Sequence, residues 1–179
     1  IKDNNFIFKS TTIMSHLFGM TFSLFVAWNN GNIIDTDIVL YPEDVTSKNC
    51  VLVSTPVFLQ SLKKHSLQFA TNPKFIIAAG ASLSNDVFEY FEQNSSMVEI
   101  YGSTESGVIA FRTHYEEKEL TIFPNVKIDG NKIISNYCYG GEVEMPDTIN
   151  VTNGKITSIN RKDKLLKVYD KRVSVALIE

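Results

Sequence analysis

Three apolar runs in the first part of the chain predict buried strands. They cover residues 50–54, 75–79 and 97–101, and each is nearly continuous in apolar residues, as expected for strands covered on both faces. Amphipathic segments follow the first two runs, one with Pro56 in its first turn and the other with Ser84 as its N-cap. Strands that alternate with such helices predict an α/β fold, with a parallel sheet that carries helices on both faces.

A further apolar segment, residues 17–28, predicts another helix. Apolar residues at helical spacing form one face of this segment, and aromatic residues fill its other faces. The first set is Leu17, Met20, Leu24 and Trp28, and the second set is Phe18, Phe22 and Phe25. A helix that is apolar on every face is expected to be buried on all sides.

Beyond Thr113 the pattern changes to short strand-like pieces separated by turn residues. Asp129-Gly130-Asn131 and Thr152-Asn153-Gly154 are typical of tight turns between antiparallel strands. The strand-like pieces are 121–123, 126–128, 132–134, 142–144 and 155–157. This part of the chain is therefore predicted to be a small antiparallel β subdomain.

The composition and net charge of the chain indicate which class of binding partner to expect. The chain has 179 residues, of which 44% are apolar and 21% are charged, with a formal net charge of −3, as in a soluble globular protein. This charge does not favour nucleic acid or a membrane as a partner, because both attract clustered Lys and Arg. Cys50 and Cys138 lie far apart, so neither a disulfide framework nor a zinc site is indicated, and a reducing cytoplasm is expected. A small molecule is the expected partner.

Residues 101–107 carry the clearest candidate chemistry. They read Tyr-Gly-Ser-Thr-Glu-Ser-Gly and lie between two apolar runs. The Thr104 hydroxyl can donate a hydrogen bond to a phosphate oxygen, Glu105 can hold Mg²⁺ through its carboxylate, and Tyr101 offers a flat face for stacking a base. A polar turn between two strands, with Glu105 merely solvated, is the alternative interpretation of the same residues.

The segment 101–105 resembles the Tyr-Gly-x-Thr-Glu motif of the adenylate-forming superfamily, which includes acyl- and aryl-CoA synthetases, adenylation domains of peptide synthetases and firefly luciferase. Three other segments resemble elements of the same superfamily in the same order. Residues 15–19 resemble its His-x-x-Gly element, residues 80–82 its glycine turn, and residues 160–174 its Gly-Arg-x-Asp hinge and the strand pair that follows. The resemblance covers almost the whole chain.

The resemblance implies a role for each candidate residue. Arg161 would bind the ribose hydroxyls, and Asp163 would be the hinge of a C-terminal lid. Asp147 falls close to the position at which the superfamily pattern has an aspartate that binds the ribose. The implied nucleotide-binding residues are Gly80, Ala81, Tyr101, Gly102, Asp147 and Arg161, and the implied catalytic residues are Thr104, Glu105 and His16, with Glu105 also as the Mg²⁺ ligand.

His16 would lie beside the carboxylate of the acyl substrate. The apolar wall behind it, Phe18, Met20 and Phe22, would suit an acyl or aryl group. The same histidine also fits a capped or core-satisfied imidazole at the start of a helix, and the same apolar residues fit an ordinary core.

The sequence departs from the superfamily pattern at two turns and at one spacing. Asn160 stands where the hinge has glycine, and Asp170 stands where the closing strand pair has glycine, so the local turn geometry differs. Asp147 follows Pro146, and its spacing to Arg161 is one residue short of the pattern.

The resemblance also implies that the chain is a central fragment. The loop that cradles the triphosphate would lie before Ile1, and the lid with its catalytic lysine would begin where Glu179 ends, so the fragment alone is expected to be inactive. The expected division is an adenylate-binding α/β subdomain at 1–112, the β subdomain at 113–160, and the hinge with the start of the lid at 161–179.

The implied reaction joins a carboxylic acid to ATP. The products would be an acyl-AMP and pyrophosphate, and the acyl group would then pass to coenzyme A or to the thiol of a carrier protein. Such a reaction depends on positioning and on neutralising phosphate charge, for which Mg²⁺ is the expected cofactor.

Two alternatives remain open at this point. The chain fits an inactive nucleotide-binding or docking module of the same fold, because Asn160 and Asp170 replace two pattern glycines. Glu142 and Glu144 also fit the paired carboxylates of a hydrolase, since their spacing places both on one face of a strand.

Overall fold

The chain divides into two compact units in a computed structural model that describes residues 5–161, 165–168 and 171–174. The first unit comprises Ile1–Ile100 and Thr113–Glu116, and the second comprises Tyr101–Arg112 and Glu117–Glu179. Residues 101–112 therefore group with the β part of the chain, whereas the sequence pattern placed them with the α/β part.

The first unit is built on a parallel sheet. Its strands are β1 (Ile7–Ser10), β2 (Ile33–Ile38), β3 (Cys50–Ser54), β4 (Phe75–Ala79) and the beginning of β5 (Ser96–Ser103). They lie in the order β2-β1-β3-β4-β5 and every neighbouring pair is parallel. The helices are α1, with a π-helical middle (Leu17–Gly19, Met20–Phe25, Val26–Asn29), α2 (Pro56–Lys64) and α3 (Asn85–Glu92). The predicted α/β fold with a parallel sheet is confirmed.

Helices α2 and α3 share one hydrophobic core with β3, β4 and β5. The core is continuous because alternate residues of each strand face the same side. Its members include Leu52, Leu59, Ile76, Phe88 and Met97, all of which are almost completely buried. This packing holds the end of β4 next to Ile100 of β5, which is the partner of Ala79 in the parallel ladder.

A polar contact also connects the two helices. The Lys63 ammonium lies 2.5 Å from Asp86 Oδ2, and this hydrogen bond lowers the pKa of Asp86 to about 2. The N-terminal end of α2 is capped by Thr55, whose hydroxyl oxygen accepts a hydrogen bond from the Phe58 amide at 3.3 Å. Helices α2 and α3 thus begin at Pro56 and Asn85, as the sequence pattern predicted.

The prediction that α1 is buried on all sides is wrong. This helix packs through its small residues, since Gly19, Ser23 and Ala27 are its buried positions. Its large apolar side chains are half-buried or exposed, and Phe25 and Trp28 are 48% and 72% exposed. Among the residues that the structure describes, no helix has the length and apolar character needed to cross a membrane.

The second unit is an antiparallel β structure. The strands β6 (Gly107–Arg112), β7 (Leu120–Ile122), β12 (Lys155–Arg161) and β11 (Asp147–Thr152) pair in that order. A separate three-stranded sheet has the order β10-β9-β8, with bounds Glu142–Glu144, Lys132–Ser135 and Val126–Asp129. The last strands, β13 (Leu165–Val168) and β14 (Lys171–Ser174), form an antiparallel pair. The predicted antiparallel β subdomain is confirmed.

The core of the second unit explains why residues 101–112 belong to it. Ile109 and Ala110 of β6 are completely buried. They lie in one hydrophobic cluster with Ile133 of β9 and Ile156 of β12. Tyr101 also packs against this cluster. The apolar run 108–111 is thus part of a strand, and its residues Ile109 and Ala110 lie in the β core.

Candidate functional site

A short turn between β5 and β6 presents Thr104 and Glu105 to solvent. Strand β5 ends at Ser103 and β6 begins at Gly107, and both Thr104 and Glu105 are exposed. The turn therefore offers a hydroxyl and a carboxylate side by side, as the sequence motif predicted.

The two strands approach each other closely at the base of this turn. A Cβ atom on Gly102 would lie 2.2 Å from the carbonyl oxygen of Gly107. This distance is too short for a carbon and an oxygen that are not bonded, so only glycine fits at position 102 without a shift of the backbone. Gly107 itself has φ +67°, in the left-handed region that favours glycine. Each of the two glycines of the motif thus has a structural reason of its own.

Tyr101 and Asp147 come together in the second unit. The Tyr101 hydroxyl donates a hydrogen bond to Asp147 Oδ2 at 3.1 Å. Asp147 is the first residue of β11 and is only 6% exposed. Burial of a carboxylate is costly without hydrogen-bond donors, so its contact with the phenol fixes both groups.

Arg161 lies opposite Asp147 in the sheet. It is the last residue of β12, and its backbone is the direct partner of Asp147 in the antiparallel ladder. The fold therefore brings together three of the expected nucleotide-binding positions, which are Tyr101, Asp147 and Arg161.

In the first unit, Gly80 and Ala81 follow β4 directly. Gly80 has φ +103°, and a Cβ atom placed on it would meet only open space, so the backbone is accessible from that side. Ala79 pairs with Ile100 in the parallel ladder, so the chain leaves β4 and the first unit's part of β5 at the same edge. This is the edge at which open α/β sheets bind ligands.

The loop after β4 has an anchor that the sequence analysis did not identify. Glu99 of β5 is buried, and its Oε1 accepts a hydrogen bond of 2.7 Å from the Leu83 amide. A carboxylate in a strand that otherwise reads as apolar was the available signal for this contact.

His16 is the N-cap residue of α1, where its exposed side chain makes no capping hydrogen bond. The interpretation as a capped or core-satisfied imidazole is therefore wrong, and the role beside the substrate carboxylate stays a prediction. Asp163 and Asp170 lie outside the described residues. Asn160 lies inside β12, where its backbone pairs with Thr148.

The two carboxylates considered for a hydrolase do not form a catalytic pair. Glu142 and Glu144 are both exposed on the edge strand β10. Glu142 Oε1 lies 2.9 Å from the Lys132 ammonium, and this hydrogen bond raises the pKa of Lys132. The pair is therefore a solvated surface feature, and the hydrolase interpretation is set aside.

A metal ion at the turn that carries Glu105 would need oxygen ligands from a bound nucleotide. Among the side chains that the structure describes, no three His, Cys, Asp or Glu residues lie close enough to hold an ion. Mg²⁺ is commonly held by one or two carboxylates together with water and substrate phosphates. The exposed carboxylate of Glu105 fits that mode, in which a nucleotide supplies the remaining oxygens.

Comparison with known proteins identifies the fold. No family model matches the chain, and no curated protein matches its sequence. Solved structures do match. MenE of E. coli, with a bound analogue of OSB-AMS, has a TM-score of 0.73 at 17% identity, over 100% of this chain and 45% of MenE.

Two further solved structures agree with that result. Coronafacic acid ligase of Pectobacterium brasiliense has a TM-score of 0.69 at 16% identity, over 100% of this chain and 43% of the ligase. ATP-bound MatB of Rhodopseudomonas palustris has a TM-score of 0.71 at 15% identity, over 98% of this chain and 44% of MatB. The chain thus spans less than half the length of each of the three.

Proposed function

We propose that this chain, which has the fold of the central part of the adenylate-forming superfamily, binds an adenine nucleotide as part of an enzyme that activates a carboxylic acid. The observation that carries the proposal is the meeting of Tyr101, Asp147 and Arg161 in one unit. An aromatic ring, a fixed carboxylate and an arginine position provide what a nucleoside needs: a stacking face and partners for the ribose hydroxyls.

The proposal assigns parts of the nucleotide to individual residues. Tyr101 and Gly102 bind the adenine, and the resemblance implies the same role for Gly80 and Ala81, which stays a prediction. Asp147 and Arg161 bind the ribose. Thr104 donates a hydrogen bond to a phosphate oxygen, and Glu105 holds the Mg²⁺ that offsets the phosphate charge. His16 is assigned to the carboxylate of the acid substrate.

In the proposed reaction a carboxylate oxygen forms a bond to the α-phosphorus of ATP, and the bond from that phosphorus to pyrophosphate breaks. The protein holds two anions together, so its contribution is positioning and charge neutralisation. The acyl group of the acyl-AMP then passes to a thiol, with release of AMP. Coenzyme A is the proposed acceptor of the acyl group, and the thiol of a carrier protein is the alternative acceptor.

The complete reaction is proposed for a protein that also has the parts of the fold that this chain does not span. The resemblance places the triphosphate loop and the lid lysine in those parts. The 179-residue chain is therefore proposed to bind nucleotide without catalysing exchange of pyrophosphate into ATP. A protein that combines this chain with those parts is expected to catalyse that exchange with one class of carboxylic acid.

An inactive nucleotide-binding module is the second candidate function. It is favoured by Asn160, which stands at the position of the hinge glycine and lies inside a regular strand pair in this structure. The two candidates differ in one measurement. Adenylate binding without carboxylate-dependent pyrophosphate exchange in the longer protein would favour the inactive module, and exchange would favour the enzyme.

Nucleotide binding by the chain itself is the first test of the proposal. Titration calorimetry with AMP is expected to show saturable binding at one site, and GMP is expected to bind more weakly because the proposed base contacts are made to adenine. Ribose 5-phosphate serves as a control for binding through sugar and phosphate alone. Absence of AMP binding, or equal affinity for all three ligands, would contradict the proposal.

A further inference from the structure

Two serine hydroxyls clamp the turn that carries Thr104 and Glu105. Ser103 Oγ accepts hydrogen bonds from the amides of Glu105, at 3.2 Å, and Ser106, at 3.1 Å. Ser106 Oγ accepts one from the Ser103 amide at 3.2 Å, and the two hydroxyls lie 3.1 Å apart. We call these four contacts between Ser103, Glu105 and Ser106 the serine clamp.

The serine clamp is anchored in the core of the second unit. Ser106 is completely buried, and its hydroxyl also lies 3.1 Å from the Gly107 carbonyl oxygen, to which it can donate. The Cys138 sulfur lies 3.8 Å from the Ser106 carbonyl oxygen, and the Met145 sulfur lies 3.6 Å from Ser103 Oγ. Both ends of the turn are therefore held by buried groups, while its tip is exposed.

The serine clamp is separate from what closes the hairpin. The strands β5 and β6 approach each other closely at Gly102 and Gly107, and Ile109 and Ala110 of β6 are buried in the β core. The two hydroxyls instead fix the backbone of the exposed tip between them. An exposed tip without such contacts would sample many conformations, and ordering it on binding would lower the affinity for its ligand.

We infer that Ser103 and Ser106 are positioning residues that hold Thr104 and Glu105 in the conformation that binds the phosphates and Mg²⁺ of the nucleotide. The inference rests on the proposed function and deepens it, because it assigns the affinity for the phosphates to preorganisation of this turn. Neither serine contacts the nucleotide in this scheme. Each acts through the backbone amides that it fixes.

A matched pair of substitutions isolates the Ser103 hydroxyl. Ser103→Thr keeps the hydroxyl, and Ser103→Val has nearly the same shape without it, and both β-branched residues suit a strand. Calorimetric affinities for Mg·ATP and for adenosine are compared in the two variants and in the wild-type chain. Ser103→Val is expected to bind Mg·ATP about fivefold more weakly than Ser103→Thr, with equal affinity for adenosine.

Adenosine is the internal control, because it has the base and the ribose but no phosphate. Equal affinity of the two variants for Mg·ATP would overturn the inference. An equal loss for both ligands would also overturn it, because the hydroxyl would then act on the fold as a whole. A wild-type chain that binds neither ligand would overturn the proposed function itself, and with it the role of the serine clamp in binding.

Amide hydrogen exchange tests the serine clamp without any ligand. The amides of Glu105 and Ser106 are expected to exchange faster in Ser103→Val than in Ser103→Thr, while amides in the middle of β6 remain unchanged. Ser106→Ala is a second variant that removes the other hydroxyl and is expected to speed exchange at the Ser103 amide. Unchanged exchange at all three amides would show that the hydroxyls do not order the turn.

Discussion

Asp147→Ala is expected to lower the affinity of the chain for AMP roughly ten- to hundredfold, because a hydrogen bond to a charged group contributes about 1.5–3 kcal/mol. The physical reason is the position of the carboxylate. It is nearly buried, is fixed by the Tyr101 hydroxyl, and lies opposite Arg161 in the sheet. Calorimetry with AMP measures the effect directly.

A ligand without ribose hydroxyls separates this role from a general loss of structure. The wild-type chain is expected to bind 2′,3′-dideoxy-AMP more weakly than AMP, and this difference should be smaller in Asp147→Ala, since only Arg161 then remains as a partner of the hydroxyls. Tyr101→Phe is the matched control. It removes the phenol contact with Asp147 but keeps the ring, so a smaller loss is expected. An Asp147→Ala variant that discriminates between the two ligands as strongly as the wild-type chain would contradict the ribose assignment.

Gly102→Ala is expected to destabilise the second unit by about 2–3 kcal/mol, because the added methyl group would clash with the backbone of the adjoining strand, which must shift. The added Cβ would lie 2.2 Å from the Gly107 carbonyl oxygen, which belongs to the backbone of the adjoining strand. The hairpin that carries Thr104 and Glu105 must then separate. Urea denaturation followed by circular dichroism measures the loss, and hydrogen exchange in β6 locates it.

Gly130→Asn is the control for Gly102→Ala. Gly130 also lies in a turn of the second unit, with φ +60° and open space where a side chain would begin. Asparagine tolerates this conformation, so the substitution is expected to change the stability by less than about 0.5 kcal/mol. Equal stability of Gly102→Ala and the wild-type chain would show that the two strands do not approach as closely as described.

The apolar runs were sufficient to predict the α/β sheet. Strands buried on both faces leave a continuous apolar signal, and the residues after them lie at one edge of the sheet. The pairing of Asp147 with Arg161 was harder to predict, because their spacing is one residue short of the pattern. A register shift between Asn150 and Val151 in the β11–β12 hairpin accompanies their pairing.

Other features depend on packing that the sequence pattern does not encode. The helix α1 has apolar residues on every face, yet it packs through Gly19, Ser23 and Ala27, since small residues permit close approach. The run 108–111 has the pattern of a buried strand, but the pattern does not say which core it enters. Ser103 and Ser106 read as ordinary turn residues until their hydrogen bonds are seen.

A nitrogen-15 NMR titration of the 179-residue chain with AMP tests the proposed nucleotide site most directly. We expect saturable shifts, with one dissociation constant, at the backbone amides of Tyr101, Thr104 and Asp147, and little change in the exposed strand β10. Shifts confined to other parts of the chain, or none at concentrations that saturate calorimetric binding, would contradict the proposed site.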